Sequence, residues 1–161
     1  MISCATDGVE QTRALAAVVA VHVVDGDLLM LVGDLGAGKT AFTQGFARAL
    51  GVDTPVTSPT FTLAHRYVGQ MVVNHLDAYR VEALAEAEDL ALPELLEDGV
   101  TLVEWGDNIL PVLPADRLEI RIAMGEGDDD RCLEIGCLGV SWSARRHELA
   151  QALSSWRHDP C

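Results

Sequence analysis

Residues 28 to 42 read LLMLVGDLGAGKTAF, an apolar run followed by a glycine-rich turn and the opening of a helix. Gly33 to Thr40 match the pattern G-x-x-x-x-G-K-[ST] at every fixed position. Glycines let backbone N–H groups turn inward around phosphate oxygens, and the helix N-terminus adds its partial positive charge. Thr40 supplies a hydroxyl for Mg²⁺, and Lys39 reaches toward the β- and γ-phosphates. Lys39 is the only lysine among eleven basic residues. A slim, flexible ammonium passes a narrow loop where a planar guanidinium would not. The stretch reads as a site for a nucleoside triphosphate.

Strands and helices interleave around this loop. TDGVEQTRALAAVVAVHVV reads as a helix with Asp7 as N-cap and Glu10 in a capping-box position. LLMLV suits a strand covered on both faces. Residues 39–50 form a helix with Phe42, Phe46 and Leu50 on one face, stopped by Gly51. FTLAHRYV and MVVNHLDAYR pair as a hairpin about a Gly-Gln turn, and TLVEW is a second buried strand. Residues 81–97 are an acidic helical stretch interrupted by Pro93. RLEIRIAM and RCLEIGC alternate as strands around the turn GEGDDD, and SARRHELAQALSSW is a closing amphipathic helix. The pattern predicts an α/β fold, a P-loop NTPase-like sandwich with a central, largely parallel mixed sheet flanked by helices. Residues 1–161 are expected to form one domain, with 156–161 as a frayed tail.

Charge limits the partners. A formal net charge of −14 repels phosphate backbones, so any RNA should be held by a partner rather than by this chain. The cysteines (Cys4, Cys132, Cys137, Cys161) show no CxxC pair or framework spacing and read as reduced thiols. The start lacks the positive segment of a secretory signal, and LAAVVAVHVV is about half the length that spans a bilayer. A cytoplasmic protein without a membrane span is expected. The histidines (His22, His65, His75, His147, His158) lack metal-ligand spacing and read as ordinary surface or core residues.

A phosphate loop alone does not separate ATPases, GTPases and kinases, so the other parts of a site matter. TLVEW ends in Glu104, a position from which an acid can face bound Mg²⁺ or its water. HLDAYR places Asp77 at the end of an apolar run, with Arg80 one turn later as a possible structural pair. Thr60 lies on a proline-stiffened loop twenty residues after Thr40, where a hydroxyl can sense the γ-phosphate as switch segments do. Three readings stand: a nucleotide-driven regulatory ATPase, a small-molecule P-loop kinase, and a nucleotide-binding switch without an enzyme partner. A kinase usually closes an arginine-rich lid, and no such loop cluster is present; a guanine reader of the N-K-x-D type needs a second lysine.

Taken together, GDLGAGKTAF, VTSPTFTL, HLDAYR and VEWGD, in this order, resemble the TsaE family, the P-loop ATPase subunit of the bacterial machinery for threonylcarbamoyladenosine (t6A) in tRNA. The resemblance covers roughly residues 5 to 140. It implies an ATPase that uses ATP and Mg²⁺ to reset a threonylcarbamoyl-transferase subunit and its inactive paralogue (TsaD/TsaB-like) between turnovers. The modified adenosine lies beside the anticodon, and tRNA would be met only through the complex. Carried over by motif, Gly36, Ala37, Gly38, Lys39, Thr40 and Ala41 would hold the phosphates, and Thr40 and Glu104 the metal. Lys39, Thr60, Asp77 and Glu104 would be catalytic, with Thr60 and Asp77 ordering the water and metal shell. Trp105 would shape the nucleotide pocket. Thr12 and Arg131 match further nucleotide contacts of the family. GDDDR departs from the family's simple Gly-Arg and sets three carboxylates before Arg131.

Overall fold

The computed structural model describes residues 1–59, 64–81 and 92–158. Seven strands form one sheet in the order β1-β7-β6-β2-β5-β4-β3. They are β1 (Ile2–Thr6), β2 (Leu28–Val32), β3 (Ala64–Val68), β4 (Val72–Asp77), β5 (Val100–Glu104), β6 (Arg117–Met124) and β7 (Arg131–Leu138). The middle four strands, β6, β2, β5 and β4, run parallel, and both margins are antiparallel. The expected P-loop NTPase-like α/β fold is therefore the observed one.

The α-helices among the described residues are α1 (Val9–Ala20), α2 (Lys39–Ala49), α3 (Leu92–Leu96) and α4 (Gly139–Ala152). Alternation along β2 distributes them. Leu29 and Leu31 face a core with Leu15, Phe42, Phe46 and Trp142, from α1, α2 and α4. Leu28 and Met30 face a smaller core with Leu76, Leu92 and Val103. Both sides of β2 are covered, which is why it reads as an unbroken apolar run.

Three expectations need correction. Residues 2–6 form an edge strand before the first helix, and that helix is capped at Gly8 without a side-chain bond from Asp7. Its strand character comes from antiparallel pairing with β7, a partner far along the chain. Residues 156–158 are not frayed: Trp156 Nε1 donates to Gln11 Oε1 at 2.7 Å, Arg157 bridges to Cys4, and the His158 N–H meets the Ser3 carbonyl at 3.1 Å. The tail covers the otherwise bare edge of β1, which offers unpaired backbone groups. Finally, Cys132 is disulfide-bonded, whereas Cys4 and Cys137 are free thiols. Cys132, the second residue of β7, lines a cavity with Trp156 and His158, a tertiary placement that cysteine spacing does not encode. Most of the acidic stretch after residue 81 lies outside the described residues.

Candidate functional site

The C-terminal ends of β2, β4 and β5 lie side by side. Glu104 is in register with Leu31 on one side and Asp77 on the other. The phosphate loop leaves β2 at this edge and enters α2 through Gly38, whose φ of 112° is left-handed backbone that favours glycine. Lys39, Thr40 and Ala41 begin α2, so their backbone N–H groups belong to the helix turn that lacks internal partners.

Lys39 is only 5% exposed. Its Nζ donates to the carbonyls of Gly33 at 2.6 Å and Asp34 at 2.9 Å, and lies 3.8 Å from the centroid of the Trp105 ring. Burial lowers its pKa from the usual lysine value; the carboxylates of Glu104, Asp77, Asp34 and Asp107 oppose that shift. Two backbone carbonyls thus hold a buried cation where a phosphate chain would enter, in the field of four carboxylates.

Trp105 reaches this position through an unusual backbone. It is the only non-glycine residue with positive φ among the described residues, at φ 57° and ψ 36°. Such a conformation costs about 1–3 kcal/mol and clusters at functional sites. It turns the chain sharply after Glu104, while the Trp105 N–H is secured by the Leu31 carbonyl at 2.9 Å. Tyr79, 58% exposed, lies against the indole with ring centroids 5.0 Å apart.

Thr40 Oγ1 donates toward both carboxylate oxygens of Glu104, at 3.2 and 3.3 Å. Glu104 is 2% exposed and also accepts from His75 Nε2 at 2.8 Å. Asp77 Oδ2 accepts from Ser58 Oγ at 2.7 Å, and its Oδ1 from the Tyr79 N–H at 2.9 Å. Asp77 is therefore tied to the loop that precedes Thr60 and not to Arg80, which forms no ion pair among the described residues. Arg66 instead pairs with Asp98 at 2.5 Å on the exposed surface. Thr60 itself lies outside the described residues.

Arg131 docks on the phosphate loop. Its Nε donates to the Ala37 carbonyl at 2.9 Å, and Nη1 to the carbonyls of Asp128 and Asp130 at 2.9 and 2.7 Å. The acidic turn thus meets this guanidinium through its backbone, and Asp130 Oδ2 caps the Gly127 N–H at 3.0 Å. Thr12 is buried, with its hydroxyl bonded to Thr6 Oγ1 at 2.9 Å and to the Gly8 carbonyl at 3.3 Å. Thr6 is paired across the ladder with Arg131, so Thr12 braces the wall on which Arg131 stands.

The structure brings Gly36 to Ala41, Asp77, Glu104, Trp105 and Arg131 to one edge, with Thr12 behind it. Ser58 and His75 also join this site, although the sequence alone assigns no role to either of them. For His75 a signal existed: it precedes Asp77 by two residues in a buried strand, so both share a face.

An Mg²⁺ ion fits the donors present. Thr40 and Glu104 offer hard oxygen ligands on adjoining elements, the sparse set expected of an ion completed by water and substrate phosphates.

Comparison with known proteins identifies the family. Residues 6–133 match the family described as Threonylcarbamoyl adenosine biosynthesis protein TsaE. The tRNA threonylcarbamoyladenosine biosynthesis protein TsaE of Bacillus subtilis (strain 168) is 43% identical over 152 residues, covering 93% of this chain and 90% of that protein. The protein of the same name from Streptomyces coelicolor is 46% identical over 125 residues, covering 73% and 84%. The crystal structure of Bacillus subtilis YdiB superposes with a TM-score of 0.77 at 37% identity, covering 94% of this chain and 97% of that one. A phosphate loop facing an acid-tipped strand, in a chain matched along most of its length, makes this protein a member of the TsaE family, whose proteins take part in t6A biosynthesis.

Proposed function

We propose that this chain is a single-domain, Mg²⁺-dependent ATPase that drives turnover of the cytoplasmic complex forming t6A beside the anticodon. The observation that carries the reading is the contact of Thr40 Oγ1 with both Glu104 oxygens, at 3.2 and 3.3 Å, beside the buried Lys39 ammonium. Three side chains specialised for phosphate and metal meet at one strand edge.

Each residue then has a task. The backbone from Gly36 to Ala41 would cradle the phosphates, and Lys39 would exchange its two loop carbonyls for β- and γ-phosphate oxygens. Thr40 and Glu104 would hold Mg²⁺, which supplies charge neutralisation across the phosphates. Asp77, fixed by Ser58 and the Tyr79 N–H, would orient the attacking water, with Thr60 sensing the γ-phosphate. Trp105 and Arg131 would border the nucleotide from opposite sides of the loop, and Thr12 would act on it through the Thr6–Arg131 wall.

Family and charge together support the proposed partners. The family acts in t6A synthesis, and a net charge of −14 leaves this chain poorly suited to grip tRNA. A threonylcarbamoyl-transferase subunit and its inactive paralogue, TsaD/TsaB-like, would hold the RNA. Phosphate release from ATP by the purified chain, with and without Mg²⁺, tests the reading. Metal-dependent release lost in Glu104→Gln supports it, and release independent of metal overturns it.

A further inference from the structure

We infer that His75 is a positioning residue that holds the Glu104 carboxylate in its metal-facing orientation. The inference rests on the ATPase reading of this site.

His75 and Glu104 stand on the adjacent parallel strands β4 and β5 and are 0% and 2% exposed. A buried carboxylate needs partners to offset lost hydration. Glu104 has two among the described residues: Thr40, which meets both oxygens, and His75, whose Nε2 lies 2.8 Å from Oε1. An ionised carboxylate only accepts, so Nε2 carries the hydrogen. Oε1 is thereby shared by His75 and Thr40, whereas Oε2 meets Thr40 alone.

The ring is itself fixed. Tyr67 packs over it with centroids 6.5 Å apart, and the Tyr67 hydroxyl is tied to the Thr57 backbone N–H and carbonyl, each at 3.3 Å. His75 Nδ1 is buried without a hydrogen-bond partner among the described residues. An apolar ring would fill the same space without that unmet atom. Leaving a buried polar atom unpaired calls for a reason, and the bond to Glu104 supplies one. The geometry is that of an outer-shell residue orienting a metal ligand.

The test uses the full chain and three variants. His75→Gln keeps an amide donor near the position of Nε2, His75→Asn is too short to reach Glu104, and His75→Phe keeps the ring without a donor. Mn²⁺ binding to the complex with a non-hydrolysable ATP analogue is read by electron paramagnetic resonance, and analogue affinity is measured separately in EDTA. His75→Asn and His75→Phe should weaken Mn²⁺ binding by about tenfold or more, with His75→Gln within roughly threefold of wild type, as for loss and retention of an outer-shell bond. Metal-free analogue affinity should stay unchanged in all three. Equal Mn²⁺ binding by Asn and Gln variants overturns the inference, and this pair decides it even where the Phe variant does not fold. Wild-type protein that binds the analogue but gains no Mn²⁺ overturns the ATPase reading as well. Wild-type Mn²⁺ binding matched by His75→Asn removes the role of His75 alone.

Discussion

The Lys39 ammonium lies 3.8 Å from the centroid of the Trp105 ring, joining the phosphate loop to the residue that follows the acid of β5. A cation over an indole face gains about 0.5–2 kcal/mol, more as water is excluded. Trp105 makes this contact from left-handed backbone, directly after the strand acid Glu104.

Lys39→Ala should abolish productive ATP binding while preserving the fold, since among the described residues the ammonium bonds only to loop carbonyls and the Trp105 ring. Lys39→Arg should also be badly impaired, because a planar fork does not fit between two carbonyls and an indole. Nucleotide titration together with circular dichroism measures both. Wild-type turnover by the arginine variant would contradict this account of the lone lysine.

Glu104→Gln should keep much of the ATP affinity and lose hydrolysis on the order of 10²-fold or more, as for removal of one electrostatic catalytic group. The amide keeps the shape and can still meet Thr40, but not the charge facing the metal. Single-turnover phosphate release gives the number. Near-normal turnover would transfer the acid's role to Asp77, the neighbouring strand-end carboxylate.

Arg145→Ala should destabilise the fold by about 3 kcal/mol, the scale of breaking a largely buried pair from one side. Arg145 grips both Asp27 oxygens at 2.6 and 2.7 Å and also donates to the His22 carbonyl at 2.8 Å. Asp27 in turn caps the Val24 N–H at 2.8 Å, just before β2. Urea unfolding reports the loss, and a shift below about 1 kcal/mol, the value of an exposed pair, would rank this bridge with surface ion pairs.

The region from β2 to α2 was legible because a phosphate loop requires a strand before it and a helix after it. Glu104 and Asp77 were legible as acids ending apolar runs. The strand Ile2–Thr6 was not, since five residues of mixed character become a strand only against β7. The role of His75 is not visible in metal-ligand spacing, because its partner is a carboxylate on the next strand. The left-handed Trp105 and the docking of Arg131 on Ala37 are tertiary events without a local pattern.

The isolated chain should not bind tRNA measurably at physiological salt. Salt-sensitive binding needs several cationic contacts with phosphates, and the chain carries 11 basic against 25 acidic residues. Filter binding at two salt concentrations decides the point. Tight binding that falls steeply with salt would contradict the assignment of tRNA to a partner.

The central claim is that this site is an ATPase completed by its partners. Lys39 is bound within the site, Arg131 is occupied by three carbonyls, and Arg66 is paired away from it. A trans-acting group can raise the rate of such a site by up to several orders of magnitude. The measurement is steady-state ATPase of the purified chain with and without the cognate transferase pair. The account predicts slow hydrolysis alone and a rise of about tenfold or more in the complex, the modest end of what a trans group supplies, lost with Lys39→Ala or Glu104→Gln. Equal rates in both conditions would contradict it.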